Sequence, residues 1–331
     1  TRVLDQSRIG PILCGDPQAL AGGPPVTAML MQNANSANVA PDSTAVARGL
    51  SREDLFLAVH EQFMTATAKY ADILLPAAMF LEYDDLYLAY GQTHITVGPR
   101  VLDRYEDCRT NHELICDLAR RLGANHPSFE MSAVEMLDAT LRASGKGTWE
   151  EAKQQGWLDC AQSFETEHFL DGFPSSDGRF HFKPDWAAVG PYHAGMTALP
   201  THRDNVEKAT EALPFRLIVP PARTFLNTTF TETPGSVARE GEPRALIHPD
   251  DAARLGVVEG ALVRLGNDRG EVQVRARPLE TAKPGVVVVE GNWPSGAYPG
   301  SVGINTLIGA DPVPPSGGAA FHDTAIWLKA A

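Results

Sequence analysis

The chain has 331 residues and a formal net charge of −13 at pH 7, and 43% of its residues are hydrophobic, which is ordinary for a globular protein of two or three domains. This acidic balance argues against nucleic acid or an anionic lipid surface as a partner, although backbone N–H groups and single arginines can still bind one phosphorylated small molecule. No apolar run approaches the ~20 residues that a membrane-spanning helix requires. The 25 prolines and 29 glycines indicate short elements joined by many turns.

The four cysteines, Cys14, Cys108, Cys116 and Cys160, are too far apart in sequence for a zinc knuckle or an iron–sulfur cluster. We expect reduced structural thiols, which fits a cytoplasmic protein. The chain begins at Thr1 without a Met or a signal peptide. We therefore expect that its natural N-terminal part, with any export signal, is missing.

Residues 1–76 alternate apolar runs with polar and helical segments. Three short apolar runs, at 26–31, 55–59 and 73–75, are typical of buried parallel strands. A short helix is predicted over 42–50, between the first two strands. This order predicts part of an open α/β sheet, in which a ligand would lie beyond the carboxyl ends of the strands.

Polar side chains follow the first two of these strands. Asn33 and Asn35 come after the first strand, and His60 and Glu61 come after the second. An amide or a carboxylate in such a position can hydrogen-bond to a purine edge or a ribose. The alternative is that these are turn residues that end the strands, and the spacing alone favours that alternative.

Residues 77–213 change to helical periodicity, which is followed by a connector. Apolar residues share one face over 112–123, as in an amphipathic helix. A second helix is predicted over 132–143, with Ser132 or its neighbour as its N-cap. The proline- and glycine-spaced stretch that ends near 213 is typical of a connector.

Residues 214–331 change to short strands with alternating apolar residues. Because short strands in an open sheet would leave unpaired edges, we expect them to form a closed β-barrel. The predicted strands lie at 215–219, 261–265, 270–276 and 286–289, and a strand followed by a short helix is predicted within 245–256.

Several segments, taken in their order along the chain, carry a resemblance to a known enzyme family. They are 59–76, with Thr65-Ala66-Thr67-Ala68, Ala71-Asp72 and Leu75-Pro76; Glu82; Arg109-Thr110-Asn111; 221–228; 248–256; Asn305-Thr306-Leu307; Asp311-Pro312; and Phe321-His322. Their order resembles the dimethyl sulfoxide reductase family of molybdenum enzymes, which includes nitrate reductases, formate dehydrogenases and trimethylamine oxide reductases. The resemblance covers most of residues 26–328.

The resemblance implies part of a dinucleotide-binding α/β domain over 1–76, a second, helix-rich α/β domain over 77–213 and a double-psi β-barrel over 214–331. It also implies a cofactor made of two molybdopterin guanine dinucleotides that chelate one molybdenum. Apart from the resemblance, Arg223 could be a surface ion pair and His322 a solvated histidine. No catalytic residue and no metal ligand is expected in this chain, and a [4Fe–4S] cluster, where the family has one, would lie in the missing N-terminal part. The cofactor-binding residues implied by position are Asn33, Asn35, His60, Glu61, Tyr83, Asn111, Ala222, Arg223, Thr224, Asn227, Thr228, Asn305 and His322.

The function that the resemblance implies is that of the carboxy-terminal, cofactor-binding part of a molybdenum oxidoreductase, which transfers an oxygen atom or two electrons. We expect the chain alone to be inactive and to hold no cofactor by itself. Its implied partners are the missing N-terminal half of the same enzyme, a small-molecule substrate and an electron-transfer partner. The alternative is a non-catalytic double-psi barrel that serves as a scaffold or protein-recognition module.

Overall fold

A computed structural model describes residues 2–190, 193, 195–199, 201, 207–314 and 317–331. These residues pack into two compact units. The first unit contains the described parts of Thr1–Val59, Phe63–Ile73 and Phe182–Ala331, and the second contains His60–Gln62 and Leu74–His181. The packing thus groups most of the first predicted domain with the last one. The division into three domains at 76/77 and 213/214 stays a prediction.

The N-terminal part of the first unit has a small sheet with helices packed beside it. The sheet has the order β1-β2-β3 and is the parallel sheet expected from the sequence. Helices α1 and α3 approach closely, since a Cβ on Gly49 would lie only 2.4 Å from that of Leu13. The elements are α1 (Ile9–Leu13), β1 (Ala28–Gln32), α2 (Ser36–Val39), α3 (Ser43–Leu50), β2 (Phe56–Glu61) and β3 (Ile73–Pro76).

The second unit combines an antiparallel sheet with capped helices. The sheet order is β4-β5-β6, with antiparallel pairing throughout. The two helices expected from the sequence are present as α4 and α5, and each begins with a capping box. The individual strands of this sheet were not predicted, because they have three to five residues and only a weak alternating pattern. The elements are β4 (Asp85–Leu88), β5 (His94–Gly98), α4 (Asn111–Arg121), α5 (Ala133–Ala143), α6 (Trp149–Gln155), β6 (Trp157–Asp159) and α7 (Phe164–Glu167).

The rest of the first unit is a closed six-stranded barrel with the order β10-β8-β11-β7-β12-β9. Two pairs, β8 with β10 and β7 with β11, are parallel, and the other four are antiparallel. This arrangement confirms the expected double-psi barrel. The elements are α8 (Trp186–Val189), β7 (Phe215–Ile218), α9 (Pro234–Glu240), β8 (Arg244–Ile247), α10 (Pro249–Leu255), β9 (Leu262–Asn267), β10 (Gly270–Pro278), β11 (Val286–Val289) and β12 (His322–Ala330).

The barrel core follows from the alternating pattern of its strands. Val263 and Leu265 of β9 point inward, and so do Val287 and Val289 of β11; all four are 0% exposed. Alternate residues on each strand therefore fill the interior, as the period of two requires. Strand β12 closes the ring by pairing with both β7 and β9.

Two further findings bear on the class of protein. Among the described residues, no helix has both the length and the apolar character needed to cross a membrane. Cys14, Cys108, Cys116 and Cys160 are all free thiols.

Candidate functional site

The loop that follows β1 contains two of the expected site residues. Asn33 has a φ of 48°, a left-handed conformation that asparagine tolerates better than most residues, and its side chain is exposed. Asn35 is tied down, because its Oδ1 accepts hydrogen bonds from the backbone N (3.1 Å) and the hydroxyl (3.0 Å) of Thr67. The Thr67 hydroxyl oxygen in turn accepts from the N–H of Ala37, at 3.0 Å. Asn35 therefore fixes the loop, while the side chain of Asn33 stays exposed.

The same loop is bonded to the barrel through Asn38, which is 3% exposed. Its Oδ1 accepts a hydrogen bond from the backbone N of Ser295, at 3.1 Å. Its Nδ2 donates to Trp293 O at 3.3 Å and to Asn292 Oδ1 at 3.4 Å. The sequence pattern did not single out Asn38, because a buried asparagine in a short helix has no periodic signature.

Asn305 makes the reciprocal bond from the barrel side. Its side chain is 2% exposed, and its Nδ2 donates to the carbonyl oxygens of Asn38 (3.1 Å) and Val39 (2.9 Å). Beside it, the hydroxyls of Ser43 and Thr306 lie 2.9 Å apart. The amide nitrogen of Asn305 is thus used to hold the loop after β1 against the barrel.

A third loop follows β7 and packs, through an aromatic contact, against the barrel loop that carries Trp293. The rings of Phe225 and Trp293 meet edge to face, with centroids 5.0 Å apart. Gly291 has a φ of 84° and donates its N–H to Pro220 O at 2.8 Å. A Cβ at Gly291 would lie 2.8 Å from the Phe225 ring and 3.0 Å from Ala222, so only glycine fits here.

We name these three segments, 33–42, 220–229 and 290–308, the three-loop cluster. Within it, the backbone N–H of Thr224 already has a hydrogen-bond partner, because it donates to Glu240 Oε1 at 2.7 Å. The pair Leu226 and Thr229 closes a two-residue turn over Asn227 and Thr228, and Asn227 has a φ of 50°.

Some expected site residues in the cluster keep their donors free. The side chains of Asn33, Arg223 and Asn227 are exposed and have no hydrogen bond or ion pair to any described residue. Amide and guanidinium groups supply the donors that phosphates and purines accept. The Tyr298 hydroxyl, buried in the same apolar cluster as Trp293, also has no partner among the described residues, and burial raises the pKa of Tyr298.

In the second unit, His60 is fixed by hydrogen bonds at both ring nitrogens. The ring is 1% exposed; Nε2 lies 3.0 Å from Arg109 O, and Nδ1 lies 3.1 Å from Asn111 Oδ1. Next to it, Glu61 is half-buried, and its Oε1 accepts from the N–H of Gln62 at 2.8 Å. The structure therefore brings His60 and Asn111 together, as a pair that anchors the end of β2.

Tyr83 and Asn111 border open space in the second unit. Tyr83 lines two cavities, of about 660 Å³ and about 310 Å³. Burial, followed by the carboxylate of Asp85, raises the pKa of Tyr83. Asn111 lines the smaller cavity. These are the expected site residues of this unit that face a cavity described here.

His322 lies at the start of β12 and lines a different cavity, of about 460 Å³, in the first unit. Glu207 and Arg269, which form an ion pair at 2.6 Å, also line it. No lining residue belongs to the three-loop cluster, so this cavity does not bring His322 together with Arg223 or Asn305. In the part of the chain that the structure describes, no group of three or more His, Cys, Asp or Glu could hold a metal ion.

Models of known protein families match two segments of this chain, and these segments contain all three loops of the cluster. The family model of molybdopterin oxidoreductases matches residues 18–121, and that of the molydopterin dinucleotide binding domain matches residues 215–325. The chain belongs to the molybdopterin oxidoreductase family. The first matched segment contains the loop after β1 and the residues of β2, and the second contains the barrel with the other two loops of the cluster.

Individual bacterial proteins are also similar in sequence to this chain. The chain is 30% identical, over 297 residues, to the probable oxidoreductase YoaE of Bacillus subtilis, with 88% of this chain and 42% of that protein covered. It is 26% identical, over 271 residues, to the dimethyl sulfoxide/trimethylamine N-oxide reductase of Rhodobacter capsulatus, with coverages of 71% and 32%. The chain thus spans less than half the length of these relatives.

A solved structure of similar fold is that of acetylene hydratase from Pelobacter acetylenicus. The TM-score is 0.78 at 17% sequence identity, and the likeness covers 98% of this chain and 46% of that chain. At this identity the likeness shows a shared fold over nearly the whole of this chain.

Proposed function

We propose that this chain forms a large part of the cofactor site of a molybdenum oxidoreductase, and that two molybdopterin guanine dinucleotides bind there around one molybdenum. The observation that carries the proposal is the set of exposed, unpartnered donors on the three-loop cluster, Asn33, Arg223 and Asn227. They come from both segments that match the family models. Their chemistry fits an elongated ligand with phosphate groups and a purine.

The roles of these side chains follow from their donor groups. The planar guanidinium of Arg223 can donate two parallel hydrogen bonds to a phosphate or pterin oxygen. The amides of Asn33 and Asn227 can each donate and accept, as the edge of a guanine or pterin requires. The bound cofactor would supply the metal that exchanges an oxygen atom or two electrons with the substrate. Thr224, Thr228 and Ala222 would shape the loop that carries Arg223.

The second unit, taken by itself, would contact a guanine nucleotide. Because His60 is held at both ring nitrogens, the end of β2 is rigid, and Glu61 next to it can direct its second carboxylate oxygen to a ligand. A carboxylate accepts hydrogen bonds from the N–H groups of guanine or from ribose hydroxyls. We assign Tyr83 and Asn111 to the same nucleotide, because both line open cavities. Asn35, Asn305 and His322 complete the proposed set.

The whole enzyme would include the remaining part of the polypeptide, a small-molecule substrate and an electron-transfer partner, in the cytoplasm. In its relatives, this region is less than half of the chain. We therefore propose that the isolated chain is inactive. Assays of the isolated chain with S-oxide, N-oxide and nitrate substrates test this separately, and turnover by the isolated chain would contradict it.

Cofactor analysis of an Arg223→Ala variant tests the cofactor site. The protein, in its full natural length, is purified from a bacterial host that makes molybdopterin guanine dinucleotide, and its molybdenum, pterin and released GMP are quantified. A charged hydrogen bond contributes about 1.5–3 kcal/mol, so the variant should bind the cofactor roughly 10- to 100-fold more weakly and be purified with less of it.

The matched control is Arg277→Ala, which removes the same charge from an exposed position of the barrel strand β10. It should retain the cofactor as the wild type does. Equal cofactor content in all three proteins would remove Arg223 from the site. Absence of pterin from the wild type would overturn the proposed function as a whole.

A further inference from the structure

Asn38 makes side-chain hydrogen bonds to three residues of one barrel loop. It is a buried amide, 3% exposed, bonded to Asn292, Trp293 and Ser295. Its own carbonyl oxygen accepts the bond from Asn305. The side-chain amide and the carbonyl oxygen of Asn38 are thus directed at the barrel, more than 250 residues away in sequence.

The loop that carries Asn38 has little stability of its own. Helix α2 has four residues, and no side chain caps its N-terminus. A helix of this length cannot form alone in water, because nucleation costs more than one turn of hydrogen bonds returns. The position of the loop therefore depends on its bonds to other segments. Thr67 bonds it on one side, and on the barrel side it is held by the bonds of Asn38 and Asn305 and by the N–H of Asp42, which donates to Ile308 O at 2.9 Å.

Through Trp293, the same bonds connect the loop after β1 to segment 220–229 of the three-loop cluster. Trp293, whose carbonyl oxygen accepts from Asn38, packs edge to face on Phe225. Phe225 lies two residues after Arg223 in the chain. A shift of the loop after β1 relative to Trp293 would therefore change the separation between Asn33 and the loop that carries Arg223.

We propose that Asn38 is a positioning residue for the cofactor. It holds the donors of the first matched segment at a fixed separation from those of the second, so that both reach one elongated pterin-linked guanine nucleotide without further ordering. If the two loops are already fixed, the cofactor does not have to order them, and binding costs less conformational entropy. This inference rests on the proposed function and adds to it a residue that touches no part of the ligand itself.

The test measures how fast the loaded protein loses its cofactor. Wild-type protein, Asn38→Ala and Asn38→Asp are incubated well below their unfolding temperatures, and released GMP and pterin are followed with time. Asp has the shape of Asn but lacks both amide hydrogens and places a negative charge beside Trp293 O and Asn292 Oδ1. We expect both variants to release the cofactor at least about tenfold faster than the wild type, a loss of the size seen when supporting hydrogen bonds around a bound group are removed.

A control separates positioning from simple destabilisation. Val287→Ala removes a fully buried side chain from barrel strand β11, outside the three-loop cluster, and lowers the unfolding temperature of the same unit. It should release the cofactor at the wild-type rate. In cofactor-free protein, hydrogen exchange of the amides at 35–40 should be faster in both Asn38 variants and unchanged in Val287→Ala.

Each outcome decides the inference. Release from Asn38→Ala no faster than from Val287→Ala, with the wild type fully loaded, would overturn the role of Asn38 and leave the proposed function intact. If Asn38→Ala does not fold, Asn292→Ala removes one partner only, and a wild-type release rate there would overturn the inference equally. A wild type without pterin would overturn both proposals.

Discussion

The barrel and the second unit of this protein are each stabilised internally, by different kinds of contact. The barrel has one continuous buried cluster that runs from Phe215 to Leu328 and draws on every barrel strand. The second unit has a small core, made of Val97, Leu141, Trp149, Ala152 and Leu158. Its helices instead have strong local signals, among them three capping boxes that start at Thr110, Ser132 and Thr148.

This difference determines how far a substitution should act. In the barrel, each strand pairs with at least one partner distant in sequence, so the loss of one core side chain affects the whole ring. In the second unit, a capping box joins residues three positions apart and stabilises one helix. We therefore expect large, cooperative effects in the barrel and small, local ones in the second unit.

The largest effect is expected for Leu265→Ala. Leu265 is 0% exposed in strand β9, and a cavity of this kind costs about 2–5 kcal/mol. The free energy of unfolding, from denaturant titration followed by tryptophan fluorescence, should fall by that amount for the first unit. Val258→Ala, at a 69% exposed position of the same region, should change it by less than about 0.5 kcal/mol. A fall below about 1 kcal/mol for Leu265→Ala would show that the barrel core relaxes around the lost side chain.

A smaller effect is expected for Thr110→Ala in the second unit. The Thr110 hydroxyl accepts from the N–H of Glu113 at 3.2 Å, and the Glu113 carboxylate accepts from the N–H of Thr110 at 2.9 Å. Removing the cap should cost about 1 kcal/mol, with faster hydrogen exchange confined to the first turn of α4. Thr110→Ser retains the cap and should exchange as the wild type does. Faster exchange spread over the entire second unit would contradict the local character assigned to this region.

The smallest effect concerns pH and strand β4. Burial, then the carboxylate of Asp85 and the neighbouring Tyr83, raise the pKa of Tyr87 to about 12, against about 10 for a free tyrosine. Because the folded state retains this proton more strongly, the stability that Tyr87 contributes is present below pH ~10 and is lost as the pH rises through about 12. Tyr83 and Tyr298 also have raised pKa values, so the test is the difference between two ultraviolet titrations: the wild type should show one more late-titrating tyrosine, with a midpoint near 12, than Tyr87→Phe. Identical late titration in the two proteins would contradict the burial of this ring.

Sequence patterns foresaw the parts of the fold that local rules determine. The helix that begins after Thr110 and the one that begins after Ser132 carry their caps in the sequence. In β10, the inward residues Val272, Val274 and Ala276 alternate with polar ones. Strand β12 was not foreseen, because Phe321-His322 was noted only for its resemblance. The short strands β4, β5 and β6 were not predicted, because their sequences show no clear alternation of apolar and polar residues.

The candidate site shows the same limit. Asn33, Arg223 and Asn227 could be named from the family resemblance, and they remain predictions as cofactor ligands. The contacts that hold their loops could not be named, because only the tertiary fold brings Asn38 and Trp293 together. A bond between residues 255 positions apart leaves no pattern in a single sequence.

Strand β12 also sets a condition on how the protein is made. It pairs with both strands that complete the ring, β7 at Phe215–Ile218 and β9 at Leu262–Asn267, so Phe215 must wait for Ile326 before its strand is fully paired. During translation, the apolar faces of five strands are therefore synthesised well before the sixth leaves the ribosome. Closure of so long a loop is slow, and the nascent barrel would depend on a chaperone, or on rapid emergence of β12, to avoid aggregation.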